Sequence, residues 1–267
     1  MHRHEFIGGN FLMQQILNDY RGDLATAAQP RQLVAATLRT RQFLQTQAAR
    51  ILVEDVARQD GHLSLEVRVQ NLTGHKLPTA YPSRRAWLHV VVQDRNGHTI
   101  FESGALNPDG SIVGNANDED PHRYEPHYST ITSPHQVEIF ESILKDPQGG
   151  VTTGLLSAVG YLKDNRVLPT GFDKATASHD IAVTGRALDD PDFIGGSSTI
   201  HYLVDTGNAA GPFQIHAELM YQPIAYRWAH NLAPYNAAEP QRFVRYYESE
   251  ARRSAVVLAT ADASEPQ

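Results

Sequence analysis

The chain has 267 residues, 41% of them apolar, with 23 basic and 30 acidic side chains and a formal charge of −7. That length suits one large domain or two small ones, and the apolar fraction is enough for an ordinary core. The mixed, mildly acidic composition argues against a nucleic-acid partner, and the absence of cysteine excludes disulfides, thiolate metal sites, a cysteine nucleophile and the CxxCH attachment of covalent haem.

No apolar run reaches the ~18 residues of a membrane-spanning helix. The first residues, through Leu17, lack the apolar run and small-residue cleavage site of a secretory signal. Composition leaves the compartment and the oligomeric state open. Thirteen histidines are its one hint of metal or haem chemistry.

In chain order, residues 1–52 are expected to form an N-terminal helical segment. Phe11, Leu12, Ile16 and Leu17 make one apolar stripe, and Val34, Leu38, Leu44, Ala48 and Ile51 a second, with Gln29-Pro30 between them. From about residue 53 the period becomes alternating. Leu63, Leu65, Val67 and Val69 point one way; Asn96-Gly97, between Trp87–Gln93 and Thr99–Phe101, predicts a two-residue hairpin turn with both positions at positive φ. Ile200–Val204 and Phe213–Tyr221 read as further strands. Residues 53–235 are therefore expected to be an antiparallel, immunoglobulin-like β-sandwich, giving a mainly β fold with flanking N-terminal and C-terminal helices. Over 236–267, Phe243, Tyr247, Ala251, Ser254 and Leu258 keep helical spacing after Glu239-Pro240, and Ala261 to Gln267 read as a disordered tail.

Three stretches carry candidate chemistry. Asn71 to Arg85 lies between strands, with Gly74, Pro78 and Pro82 shaping a loop. There His75 is placed to ligate a metal or haem iron, and Arg84 and Arg85 to pair with carboxylates such as propionates. The plainer alternative is an inter-sheet loop whose histidine serves the backbone. Asn115, Asn117, Asp118, Glu119 and Asp120 crowd into a loop whose oxygens suit calcium, although its spacing is not that of an EF-hand and a solvated acidic loop is the plainer reading. His2 and His4 are spaced for a two-point metal clip if extended. Glu125 and Glu141 find no evident acid–base partner. The nucleophile elbow, Walker A, GxGxxG and HExxH signatures are all missing.

Taken together, His4-Glu-Phe-Ile-Gly-Gly-Asn10, Asn71 to Arg85, Phe101-Glu-Ser-Gly104, Tyr124-Glu-Pro-His-Tyr128, Gln136-Val-Glu-Ile-Phe-Glu141, Tyr161 to Arg166 with Leu168-Pro169, and Leu219-Met-Tyr-Gln-Pro-Ile224 form an ordered set. This set resembles the C-terminal, haem-free region of bacterial multihaem cytochrome c-like proteins. The resemblance implies distal haem-ligand roles for His4 and His75, with His127 a further candidate. It also implies a haem-bearing partner or preceding region, and a periplasmic or extracellular setting. The CxxCH motifs of that family are absent. The resemblance thus implies a truncated or separately encoded accessory piece that attaches no haem covalently and supplies histidines or a docking surface. Two other readings stand beside it: a metal-dependent hydrolase or oxidase using histidine ligands with a transition metal, and a glycan- or peptide-binding sandwich using Tyr124, Tyr128 and Trp228.

Overall fold

A computed structural model describes residues 7–266. Two antiparallel sheets enclose the main core. The first is built on Ala49–Gln59 (β1), His62–Asn71 (β2) and, returning much later, Ser197–Asp205 (β7). The second is built on Arg85–Gln93 (β3), Thr99–Ser103 (β4), Gln214–Gln222 (β8) and Val256–Ser264 (β9), in the order β9-β8-β3-β4. A small third sheet joins Ser142–Lys145 (β5), Gly160–Asp164 (β6) and the short strand Val151–Thr152.

The alternation read from the sequence sets the layers. Leu63, Leu65, Val67 and Val69 on β2 pack in one cluster with Leu88, Val90 and Val92 on β3 and Ile215, Ala217, Leu219 and Tyr221 on β8. Because side chains alternate across a strand, a one-residue slip would turn each of these rows to solvent, so register is strongly specified. The observed pairings are Val67↔Ile200 and Leu88↔Leu219. The fold is thus mainly β, an antiparallel sandwich with flanking helices.

Phe11–Asp19 (α1) opens the chain, capped by the Asn10 side chain, which accepts from the Met13 N–H at 3.0 Å. Its buried Phe11, Leu12 and Ile16 join the sandwich core. Ala238–Glu250 is the long C-terminal helix, and the shorter Tyr226–His230 precedes it. Tyr20 stacks on Tyr246 with centroids 3.9 Å apart, tying the end of α1 to the C-terminal helix.

Four expectations are corrected. Pro30–Phe43 (α2) is helical, but Val34 and Leu38 are exposed and Thr37 and Thr40 are its buried residues. The helix then widens over Leu44–Ala48, and β1 begins at Ala49, so the helical segment ends short of residue 52. The β3–β4 connection is longer than the two-residue turn expected. Only Gly97 has positive φ (80°), because Asp94 closes the turn by accepting from the N–H groups of Asn96 and His98 at 2.8 and 2.9 Å. Finally, the 236–267 helix-and-tail reading fails after residue 253. Leu258 and Ala261 lie in β9, paired along β8 from Gln214↔Ser264 to Tyr221↔Val256. The alternation of buried Val256 and Leu258 with half-exposed Val257 and Ala259 was the strand signal overridden by helical spacing.

Candidate functional site

The 71–85 loop leaves β2 and returns as β3, and its backbone is fixed at its first half. Asn71 is buried, and its amide donates to the carbonyls of His75 (2.7 Å) and Val167 (2.9 Å) while its oxygen accepts from the Thr73 N–H (2.9 Å). Leu77 and Val167 exchange both backbone hydrogen bonds at 2.8 Å. Lys76 reaches Asp164 at 2.7 Å, and Asp164 also receives Arg166 through two nitrogens at 2.8 Å. Burial alone would raise the Asp164 pKa; Arg166 and Lys76 outweigh it and hold the carboxylate below its usual range. The result is a turn clamped on three sides whose His75 side chain is exposed and makes no hydrogen bond among the described residues.

Arg84 and Arg85, adjacent in sequence, diverge because Arg85 begins a strand. Arg85 is 1% exposed. Its nitrogens donate to Asp118 Oδ1 (2.8 Å), Gln222 Oε1 (2.8 Å) and the Gly110 carbonyl (3.1 Å). Burial opposes the charge, but Asp118 outweighs burial and holds the guanidinium pKa above its ordinary value. The whole fork is thus engaged inside the protein. Arg84 is half-buried, donates through Nη1 to the Thr79 carbonyl at 3.0 Å, and packs against Gly9.

The acidic loop is organised by its own backbone. Asn115 caps Ala116–Glu119, accepting from the Asn117 N–H at 3.1 Å, and the Asn117 amide donates to the Arg123 carbonyl at 2.7 Å. Asp118 Oδ2 accepts from the Ile112 N–H at 2.8 Å, its other oxygen being held by Arg85. Asp120 accepts from the His122 N–H at 2.8 Å. Glu125 accepts from the Ala116 N–H and the Tyr128 hydroxyl. Of the five oxygen-bearing residues in this loop, Asn115, Asn117, Asp118 and Asp120, the candidate cation ligands, are therefore engaged in capping, turn and ion-pair contacts, and Glu119 is exposed. Among the described residues no three histidine, aspartate or glutamate side chains gather to hold a metal ion.

His127 is buried between two carboxylates, Nδ1 bonded to Glu138 Oε1 at 2.7 Å and Nε2 to Asp190 Oδ2 at 2.8 Å. Asn165 donates to the same Glu138 oxygen at 2.7 Å, and Lys174 donates to the Asp190 carbonyl. Burial would lower the imidazole pKa; the two carboxylates outweigh it and raise it to about 9. At neutral pH this is an imidazolium with both N–H groups donated. Beside it, Glu141 and Lys163 form a buried pair at 3.1 Å. His4 lies outside the described residues, as does His2.

A cleft of about 760 Å³ opens beside the second half of the loop. One wall carries Asn10, Tyr81, Ser83 and Arg84, a second Leu155 and Leu156, and a third Ile224, Trp228, Leu232 and Phe243. Tyr81 meets Trp228 edge-on at 5.5 Å. Asn231 donates to Thr153 Oγ1 at 3.0 Å, fastening the second wall to the third. The leucine wall escaped the sequence reading, although two adjacent leucines after Gly154 in a polar stretch are the signal that marks it. The carboxylates facing His127 lie 11 and 63 positions away and leave no local signature.

No family model and no curated protein matches this chain. Among solved structures it is similar to a penta-heme cytochrome c552 from Thermochromatium tepidum, with 13% identity and a TM-score of 0.48 over 84% of this chain and 41% of that one. The chain thus spans less than half the length of that protein. Among the described residues no helix is long and apolar enough to cross a membrane.

Proposed function

We propose that this chain is a non-catalytic accessory domain of a multihaem electron-transfer system, and that the 71–85 loop offers His75 to a haem carried by a partner or by a preceding region. The observation that carries the reading is the contrast within that loop: a backbone held by Asn71, Val167 and Asp164, and an imidazole left exposed with no hydrogen-bond partner among the described residues. A ligand on a fixed backbone loses little conformational freedom on binding, which favours capture. His75 would hold the haem iron through a ring nitrogen, imidazole being a suitable haem-iron ligand. The haem supplies one-electron redox chemistry when bound. This chain's part is to hold the ring nitrogen in place and cover the haem's edge.

The test is titration of the purified chain with ferric haem, followed by its Soret band. The expected result is a saturable shift lost in His75→Ala and kept in Trp228→Phe. An identical titration in wild type and His75→Ala would overturn the proposal, because a haem held only by the apolar cleft would not depend on His75.

A further inference from the structure

The cleft beside Arg84 has a division of labour independent of the His75 reading. Its volume, about 760 Å³, lies in the ~300–1,000 Å³ range of small-molecule sites, which are mostly apolar with a few convergent polar groups. Leu155, Leu156, Trp228, Leu232 and Phe243 provide apolar surface on two walls. Most polar groups on the rim are already engaged: Ser83 donates to the Pro223 carbonyl at 2.9 Å, and Thr153 accepts from Asn231. Asn10 uses its oxygen to cap α1, leaving its amide N–H group, and Arg84 uses only Nη1. Among the described residues neither Asn10 Nδ2 nor the remaining Arg84 nitrogens has an acceptor, and no carboxylate pairs with Arg84. The polar end of the cleft therefore presents two donor groups without acceptors among the described residues, one of them cationic, beside hydroxyls that can also donate. A cationic donor pole above an apolar floor is complementary to an anion on an apolar body.

We infer that this cleft is a binding site for an amphipathic carboxylate, with its acid group on Arg84 and Asn10 and its hydrocarbon or aromatic body against Trp228 and the Leu155-Leu156 wall. The site is reached without haem and without His75.

The experiment titrates the full chain with decanoate and, separately, with 1-decanol, reading tryptophan fluorescence. The protein has two tryptophans; Trp87 is fully buried elsewhere, and Trp228→Phe assigns the signal. The expected result is saturable binding of decanoate, at least tenfold tighter than decanol. Arg84→Gln should weaken decanoate by about tenfold or more and leave decanol unchanged, as expected for loss of a charge-assisted contact. Arg84→Lys should recover part of the loss, and His75→Ala should bind both probes as wild type does. Absence of saturable decanoate binding at millimolar concentration overturns the inference. So does equal affinity for the two probes, which would show that the cleft reads the apolar body alone and not the acid group.

Discussion

His75 and His127 both stand in polar loops rich in proline and charge, and the fold treats them in opposite ways. Around His75 the hydrogen bonds go to the backbone, from Asn71 and Val167, and the imidazole is left over. Around His127 they go to the ring, and two carboxylates from distant segments close on it. The same residue type is thus an exposed, unbonded ring in one loop and a structural cation in the other. What separates them is the side chains brought near by topology. Adjacent Arg84 and Arg85 repeat the lesson, one on the cleft and one locked beneath it.

The comparison can be broken most forcefully at Arg85. Replacing it with alanine leaves Asp118 buried without its counter-ion, and removing one partner of a buried pair costs about 3–5 kcal/mol. Urea unfolding should show that loss; a change below about 1 kcal/mol would mean that Asp118 is rehydrated and the pair is not structural.

The next effect is the pH dependence of His127. Its folded pKa is raised from 6.5 to about 9, so its contribution is complete below pH 6.5 and disappears as pH rises through 9. The full contribution is on the order of 3 kcal/mol at about 1.4 kcal/mol per pKa unit. Denaturant unfolding between pH 6.5 and 9.5 should show wild type weakening across this window, and His127→Gln should be flatter. Parallel slopes in the two proteins would remove the imidazolium from the account.

A smaller effect is expected at Asp164. Asp164→Asn weakens the hold on Lys76 and Arg166, with a stability cost of about 1–3 kcal/mol. Its sharper signature is faster amide hydrogen exchange at Leu77 and Val167, where unchanged protection would show that the backbone pairing alone fixes the loop. The smallest stability effect belongs to His75→Ala, within about 0.5 kcal/mol as for a surface change. A larger loss would place His75 in the structure rather than on offer.

The sandwich was legible because its evidence is local: Leu63 through Val69 alternates, as does Phe213 through Tyr221, and alternation needs only the chain itself. The 71–85 stretch could be recognised as a shaped loop for the same reason. The inward turn of Arg85 and the enclosure of His127 depend on Asp118, Glu138 and Asp190, whose approach is set by long-range packing. The sequence placed His75 on a shaped loop, and the resemblance added His127 as a further candidate; neither could show that the second ring is enclosed by carboxylates. The final strand failed for a different reason. The helical period of Phe243, Tyr247 and Ala251 is real and ends at Arg253; Ser254 and Leu258 continue it by coincidence, and the competing alternation at Val256 to Ala259 is short.

Strand β9 also determines which ends of this protein tolerate alteration. It covers one flank of β8 from Gln214 to Tyr221. A version shortened before Val256 would uncover a row of N–H and C=O groups along a strand with one apolar face, which is the template for edge-to-edge pairing between molecules. Such a shortened chain should self-associate, with the C-terminal strand acting as the cover that keeps each copy separate.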